Sequence, residues 1–265
     1  MNTGIKNFLS FILGLSLFFS GCSVQRYYNV STQQEEVYFY STEKEVKIGQ
    51  SMARQVAKSF KFVDDALKQK KIEEIGQRLA SVSARKEISY HFKLIDKDDI
   101  NAFALPGGYV YMFSGLWNDI EKDDDEIAAV LAHEIAHINA RHSITRLQNS
   151  LGYTVLSVFA AGTPNADSVA SRRQAIAGIN QLLLAYSREE ELQADSLAVA
   201  YMKAAGYDPK KVIELLDYLQ KKEREKPVRF MPVRTHPYIS ERVRLVKELV
   251  HGGNIGFNDY INTKD

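Results

Sequence analysis

The sequence predicts an α+β fold that is mainly α-helical, and three observations support this prediction. Strand patterns are confined to residues 88–113, and helical patterns occupy most of the remaining chain. The 265 residues are 45% hydrophobic and 25% charged, which is the ordinary range of a globular protein. The length is enough for one well-buried core, so we expect a single domain over residues 42–265.

The charge balance argues against a nucleic-acid partner. Lys and Arg together number 34, Asp and Glu number 33, and the formal net charge is +1. A protein that binds the phosphate backbone normally carries a basic surface patch. The near-neutral balance offers no such field, so we expect no nucleic acid among the partners.

The first residues read as a targeting signal. Lys6 precedes an apolar run from Phe8 to Phe19, and small residues then lead to Cys22. The run is shorter than the roughly 20 apolar residues that span a bilayer. Small residues before a cysteine resemble the lipobox of bacterial lipoproteins, so we expect residues 1–21 to be removed and Cys22 to be lipidated. Simple secretion is the alternative.

The resemblance to a lipoprotein implies a location in the bacterial envelope. Cys22 is the only cysteine, as suits an exported protein whose single thiol carries a lipid. Residues 22–41 are polar and Tyr-rich without a clear period, and we expect them to form a tether. Ser23 stands where an Asp commonly signals inner-membrane retention, which favours a lipid anchor in the outer membrane, on the periplasmic side.

Two helices precede the predicted sheet. Thr42 and Glu45 match a Thr-x-x-Glu capping box, and apolar residues at helical spacing follow as far as Phe60. A second helical pattern runs from about Leu67 to Val82. Neither helix carries residues that suggest chemistry.

The strand patterns form a small sheet. Residues from Ile88 to Leu94 alternate between apolar and polar, the period of a half-buried strand. Two further runs, Asn101 to Leu105 and Tyr109 to Phe113, flank Pro106-Gly107-Gly108. A Pro-Gly-Gly turn between two such runs predicts a tight reversal.

The chain after the sheet is predicted to be helical. Gly206 is expected to stop one helix and Pro237 to occupy the first position of another. The apolar stretch Leu151 to Ala161 is too short to cross a membrane and is expected to be core or a lid. The predicted helices are Asp123 to about Arg146, a stretch near Ser171 to Tyr186, Arg188 to Ala205, Pro209 to Lys222 and Pro237 to Val250.

A His-Glu-x-x-His motif lies inside the first of these helices. At 3.6 residues per turn, His133 and His137 project from one face and can bind one metal ion, while Glu134 can reach a water on that ion. Chance would produce this pattern in roughly 1% of chains of this composition. The alternative interpretation is that both histidines merely cap or pack within a core helix.

Zinc in a hydrolytic site needs a third protein ligand. The acidic segment from Glu189 to Glu191 can supply it, and Glu191 shares a helix face with Asp195. By itself, however, an acidic helix start is more often a solvated face that the helix dipole favours. The pattern alone therefore leaves the ligand open.

Four motifs in order resemble the HtpX and CAAX prenyl protease family of zinc metalloendopeptidases, in particular its periplasmic lipoprotein or secreted branch. The resemblance implies a gluzincin-type, zincin-like catalytic domain with one Zn²⁺ per chain. The matching motifs are Asn101 to Gly108, His133 to His137 with Ala140-Arg141-His142 after it, Ser187-Arg188 leading to Glu191 and Ala194-Asp195, and Thr235-His236-Pro237.

The same resemblance assigns roles to individual residues. Glu191 becomes the third zinc ligand, and Asp195 becomes an acceptor that orients a ligand histidine. Asn101 and Ala102 lie on an edge strand that borders the active-site cleft and pairs with the substrate backbone. His236 lies near the metal and either stabilises the oxyanion or occupies the open coordination position. A loop histidine that helps to start a helix is the bland alternative.

The function implied is hydrolysis of peptide bonds in unfolded or misfolded envelope or outer-membrane proteins, as quality control. Glu134 is the expected general base, and His142 is interpreted as structural. The alternative is an envelope assembly factor or chaperone that uses the same cleft with little proteolysis. A zinc site with a purely structural role is a weaker hypothesis, because structural zinc is usually bound by several cysteines.

Overall fold

The structure is a computed structural model of the chain, and it describes residues 25–29, 34–38, 41–149, 186–225, 235–237 and 239–251. These residues form helices around one small sheet, so the prediction of a mainly helical α+β fold is confirmed. The predicted signal sequence, Cys22, most of the predicted helix near Ser171 to Tyr186 and the apolar stretch Leu151 to Ala161 lie outside the described residues.

The elements with defined bounds are five strands and seven helices among the described residues. The strands are β1 (Gln25–Asn29), β2 (Gln34–Tyr38), β3 (His91–Ile95), β4 (Ala102–Leu105) and β5 (Tyr109–Phe113). The helices are α1 (Thr42–Ser59), α2 (Ala66–Val82), α3 (Ser114–Ile120), α4 (Asp124–Asn139), α5 (Arg188–Ala205), α6 (Lys210–Glu225) and α7 (Ile239–Val250). Each helix in this part of the chain is too short or too polar to traverse a bilayer.

The central sheet has three strands in the order β3, β5, β4. β5 pairs in parallel with β3 and antiparallel with β4, so the predicted reversal at Pro106-Gly107-Gly108 is confirmed. Because β4 pairs on one side only within the described sheet, it is an edge strand.

Strands β4 and β5 are buried on both faces, whereas His91 and Lys93 of β3 are exposed. Successive side chains of a strand point to opposite faces. Ala104 and Met112 therefore join the core formed with α2, α4 and α5, whereas Phe103 and Phe113 join a second core formed with α1 and the helical segment 142–149.

Helix α1 packs directly on the turn between β4 and β5. A Cβ atom at Gly49 would lie 1.8 Å from the carbonyl oxygen of Pro106, so only glycine permits this approach. The turn itself needs Gly107 and Gly108, whose φ angles are 73° and 102°. The backbone N–H of Gly107 also donates to Glu45 Oε1 on α1 at 3.3 Å.

The predicted capping box at Thr42 and Glu45 is wrong. Ser41 is the N-cap, and its side chain accepts from the N–H of Lys44 at 3.3 Å. Glu45 is instead buried, and its carboxylate binds the guanidinium groups of Arg85 and Arg141. A buried carboxylate must be paired with a partner of opposite charge, and these two guanidinium groups pair with Glu45. The Glu45 side chain therefore does not cap the start of α1.

The helix predicted from Asp123 to Arg146 is two helices. Helix α4 ends at Asn139, and a turn at Ala140 and Arg141 separates it from the helical segment 142–149. Arg141 has a φ angle of 58°, in the left-handed region that non-glycine residues rarely adopt. The sequence has neither Gly nor Pro at this position, so it gave no local signal of the break.

Other element bounds differ by a few residues. β3 begins at His91 and not at Ile88, although the predicted alternation of buried and exposed side chains holds. Pro237 is not the first helical residue, because α7 begins at Ile239. Helix α5 ends as predicted. Gly206 is its C-cap residue and has a φ angle of 76°, a left-handed conformation that favours glycine.

The segment predicted as an aperiodic tether contains secondary structure. β1 and β2 form an antiparallel pair in which Gln25 lies opposite Tyr38 and Asn29 opposite Gln34. Tyr and Val residues are frequent in strands. The alternation of apolar and polar residues over each run of five was too weak to predict β1 and β2.

Candidate metal centre

Helix α4 carries the two histidines of the motif. The Asp123 side chain caps its first turn by accepting from the N–H groups of Asp125 and Glu126 at 2.9 Å and 3.4 Å. The spacing of four residues puts His133 and His137 on one face. Both rings are buried, and their Nε2 atoms lie 3.0 Å apart.

Helix α5 brings one glutamate to this pair. Ser187 and Glu190 form a capping box at its start, and Glu189 is exposed. The next residue, Glu191, is fully buried. Its carboxylate oxygens lie 3.5 Å from the Nε2 atoms of both histidines. Of the three adjacent glutamates, the fold therefore turns only Glu191 towards the histidine pair.

His236 completes the group from the segment 235–237. Its Nδ1 atom lies 2.8 Å from Glu191 Oε1 and 3.2 Å from His133 Nε2. The neighbouring Thr235 hydroxyl donates to Asn101 Oδ1 at 3.0 Å, which ties this segment to the sheet. One ligand atom from each of the two motif histidines, Glu191 and His236 lies within 4.8 Å of all the others.

The spacing of these atoms suits one metal ion. A metal bound tetrahedrally to imidazole nitrogens at about 2.0–2.1 Å holds its ligand atoms roughly 3.3–3.5 Å apart. The distances given above run from 2.8 Å to 3.5 Å, so a small inward or outward movement of the side chains would accommodate the ion.

The buried charges also suit a divalent cation. Three buried carboxylates, from Glu134, Glu191 and Asp195, face the one buried guanidinium of Arg242 at this centre. Three negative charges less one positive charge leave two, which a divalent ion would balance. Moreover, Glu134 Oε2 is buried and makes no hydrogen bond to the described residues. Buried charges are normally paired or bound to a metal, so the residues fit such an ion.

Asp195 and Arg242 lie behind the donor atoms. Asp195 Oδ1 is 2.9 Å from His133 Nδ1, so it can accept that N–H and leave the Nε2 lone pair of His133 directed at the donor group. Arg242 donates to both Asp195 oxygens, at 2.7 Å and 2.8 Å, and its Nη1 lies 2.6 Å from Glu191 Oε2. One guanidinium thus links the Glu191 carboxylate to Asp195, which contacts His133.

Arg242 was missed by the sequence analysis, although a signal existed. It interrupts the apolar face of α7, where Ile239, Leu245 and Val246 pack into the core. A charged residue on the buried face of an amphipathic helix needs a partner of opposite charge. The pattern did not say which carboxylates would meet it.

His137 is held by residues that the sequence analysis did not connect with it. Its Nδ1 atom lies 2.8 Å from His142 Nδ1, and His142 Nε2 lies 2.6 Å from Gln193 Oε1. The ring of Tyr186 stacks on His137 with the centroids 3.8 Å apart. The guanidinium of Arg146 lies 3.8 Å from the same tyrosine ring, a cation–π contact.

Burial shifts the pKa values of the group in opposite directions. Burial raises the pKa of Glu134, and the positive charges of His236 and His133 offset this only in part. Although burial opposes the charged form of Glu191, Arg242 and His236 hold its pKa well below the usual range. Burial lowers the pKa of His133, but the hydrogen bonds that its ring donates to Asp195 and Glu191 raise it to about 9.

A cavity of about 180 Å³ opens beside the centre. His133 and Glu134 line it together with Asn101 and Ala102 at the start of the edge strand β4. Apolar side chains, among them Leu116, Val130, Leu216 and Leu219, line the rest. The structure thus brings together every site residue expected from the sequence apart from Cys22, which lies outside the described residues.

Comparison with known proteins agrees with this geometry. A model of peptidase family M48 matches residues 66–250. The beta-barrel assembly-enhancing protease of Escherichia coli is 28% identical over 183 residues, which cover 66% of this chain and 37% of that protein. The corresponding protein of Yersinia pestis is 28% identical over 216 residues, covering 77% and 43%.

A mitochondrial relative matches as well. The metalloendopeptidase OMA1 of Schizosaccharomyces pombe is 30% identical over 177 residues, which cover 67% of this chain and 51% of that protein. The chain therefore spans only about two fifths to one half of these relatives. Because the family model covers well over half of the chain, and includes every residue of the donor group, the chain belongs to peptidase family M48.

Proposed function

We propose that the protein is a zinc-dependent endopeptidase that hydrolyses unfolded or misfolded proteins of the bacterial cell envelope. The observation that carries this proposal is the position of Glu134 beside two histidines and a glutamate. Such a donor set, with one coordination position left for substrate or water, is typical of catalytic zinc. Structural zinc sites are usually closed by cysteines, and this chain has one cysteine, at position 22.

Glu134 is the general base of the proposed reaction. A zinc ion held by His133, His137 and Glu191 would polarise the scissile carbonyl and lower the pKa of the attacking water. Glu134 takes a proton as the water oxygen attacks the carbonyl carbon, and it returns that proton to the nitrogen of the leaving amine. Its pKa, raised by burial, lies closer to neutral pH than that of a solvated glutamate, which suits both transfers.

The proposed substrate is an extended polypeptide. Ala102 is the first residue of the edge strand β4, and Asn101 precedes it. Both line the same cavity as Glu134. A segment that pairs with an edge strand must be free of its own β partner, which favours unfolded chains. The apolar lining of the cavity would accept the hydrophobic side chains that misfolded proteins expose.

The proposed setting is the periplasmic side of the envelope, with a lipid on Cys22 anchoring the chain to the outer membrane. The apolar run from Phe8 to Phe19 and the small residues before Cys22 support this location. The name of the Escherichia coli and Yersinia pestis relatives, beta-barrel assembly-enhancing protease, refers to β-barrel assembly, which supports envelope or outer-membrane proteins as substrates.

The same name supports a second candidate, an assembly factor or chaperone that binds unfolded envelope proteins with little cleavage. Binding alone does not require a general base, and a buried, raised-pKa glutamate beside a metal donor set is costly to maintain. Endopeptidase activity is therefore the preferred proposal.

We expect Glu134→Gln to reduce casein cleavage by about 10²–10⁴-fold, because the amide cannot take the proton from water. Zinc content should stay at one ion per chain, since Glu134 is not a ligand. Cleavage rate and metal content of purified protein are the measurements, with chelator-treated wild type as the control. Wild-type cleavage by the variant would contradict the mechanism.

We expect Glu191→Ala to weaken zinc binding by more than about 100-fold. Loss of a residue that only orients a ligand already weakens metal binding by about 10–100-fold, and loss of a ligand should weaken it further. The neighbouring Glu190→Ala is the matched control: it loses the capping box, costs about 1 kcal/mol of stability and keeps its metal. Competition with a chromophoric chelator measures both affinities. If Glu190→Ala lost zinc while Glu191→Ala retained it, the third ligand would be Glu190 and not Glu191.

We expect His236→Ala to raise kcat several-fold, because His236 Nδ1 lies among the donor atoms and can exclude substrate oxygen and water from the metal. His91→Ala, on an exposed side chain of β3, is the control and should leave turnover unchanged. A fall in kcat of about 10²-fold would instead assign His236 to stabilising the oxyanion. Unchanged kcat and KM would leave it as a loop histidine.

We expect Cys22→Ser to move the protein from the membrane fraction to the periplasmic soluble fraction while proteolysis is retained. The lipid is the proposed anchor, and no helix in the described ranges could replace it. Mass spectrometry of the mature N-terminus gives an independent reading. An unmodified cysteine, or a mature chain that begins elsewhere, would refute lipidation.

A further inference from the structure

Behind His137 runs a chain of buried hydrogen bonds that the proposed reaction does not use. It passes from His137 Nδ1 to His142 Nδ1 over 2.8 Å and from His142 Nε2 to Gln193 Oε1 over 2.6 Å. All three side chains are buried, with His137 at 0% exposed, His142 at 5% and Gln193 at 6%. Buried polar chains of this kind fix the orientation of each member when every donor meets an acceptor.

Only one placement of protons lets His137 bind a metal. Its Nε2 atom faces Glu191 and His133, so a ligand role requires the lone pair on Nε2 and the proton on Nδ1. The Nδ1–H group of His137 then donates to His142 Nδ1. His142 must carry its own proton on Nε2, and that group donates to the Gln193 carbonyl oxygen.

The reverse placement disables the site. If the Gln193 amide were flipped, its NH₂ group would donate to His142 Nε2, and His142 would donate from Nδ1 to His137. The proton of His137 would then sit on Nε2, where the metal belongs. The direction of this chain therefore determines whether His137 can act as a ligand.

The backbone break after α4 is what makes this contact possible. In a continuous helix a residue five positions on lies about 140° around the axis, because each residue turns the helix by about 100°. His142 would then point away from His137. The left-handed conformation of Arg141, with a φ angle of 58°, redirects the chain and brings the two Nδ1 atoms together.

This unfavourable conformation is held by buried charge. The Arg141 guanidinium binds the carboxylate of Glu45 on α1 and also donates to the Thr42 hydroxyl at 3.2 Å. A left-handed non-glycine residue is energetically unfavourable and persists only where its surroundings determine it. Such strain is frequently found next to functional sites, and here it coincides with the residue that precedes His142.

We infer that His142 is a positioning residue of the metal centre, and that Gln193 sets its tautomer by accepting from His142 Nε2–H. The inference rests on the proposed zinc site. His133 has a carboxylate, Asp195, in the equivalent position, whereas His137 faces an imidazole that in turn contacts an amide. The two histidines of one motif are thus oriented by partners of different chemistry.

The test compares four variants made in the full chain. His142→Leu keeps much of the side-chain volume and removes the nitrogen that accepts from His137. Gln193→Leu removes the oxygen that accepts from His142. His142→Asn places an amide oxygen close to the former Nδ1 position, so it should rescue the acceptor. Asn139→Leu is the control, because Asn139 is buried on α4 like His137 but bonds to the Tyr90 hydroxyl, the Ile135 carbonyl and the Arg85 backbone N–H.

Two quantities are measured for each variant: the zinc dissociation constant, by competition with a chromophoric chelator, and the urea midpoint of the metal-free protein. His142→Leu and Gln193→Leu should bind zinc 10–100-fold more weakly, the usual effect of losing a partner of a ligand histidine. His142→Asn should stay within about 3-fold of wild type. Asn139→Leu should lower the urea midpoint and leave the zinc affinity unchanged.

Zinc affinity of His142→Leu equal to wild type would overturn the inference, as would equal losses in His142→Leu and His142→Asn. If His142→Leu does not fold, Gln193→Leu and His142→Asn still decide the matter, because both keep the imidazole volume or its acceptor. A wild-type protein that binds no zinc would refute the proposed function itself. Zinc binding without any effect of these variants would refute only the role of His142.

Discussion

The structure depends on one buried electrostatic contact, the meeting of α4 and α5 through their ionisable side chains. Glu191 and Asp195 on α5 face His133 and His137 on α4, with no solvent exposure of either carboxylate. Such charges are tolerated inside a protein only when they are paired, and Arg242 on α7 pairs with both. The small residues Ala132, Ala136, Ala194 and Ala198, all buried, let the two helices pack closely around these pairs.

The rest of the molecule holds this contact in place from several sides. The three-stranded sheet is buried on both faces at β4 and β5, and the first residue of its edge strand β4 lines the cavity beside Glu134. On the far side, Glu45 of α1 holds the turn after α4 and the turn between β4 and β5 at once. A single carboxylate therefore connects the segment behind His137 with the strand that borders the cavity, so rigidity of the site does not rest on α4 alone.

The shape of the site is consistent with membership of peptidase family M48. His236 lies beside Glu191 and is carried by a segment tied to Asn101 and to the backbone of Tyr186. The segment that carries His236 is thus in direct contact with Asn101, the residue before the edge strand β4.

The sequence by itself determined the mainly helical α+β class, the hairpin around Pro106-Gly107-Gly108 and the His-Glu-x-x-His pair, because each depends on neighbours within a few residues. It could not determine which of three adjacent glutamates meets the histidines without recourse to family resemblance, since capping and burial at the start of α5 decide that. The break at Arg141, and with it the contact between His142 and His137, has no local signal. Only tertiary structure decided it, because buried Glu45, distant in sequence, stabilises a backbone conformation that Arg141 would otherwise avoid.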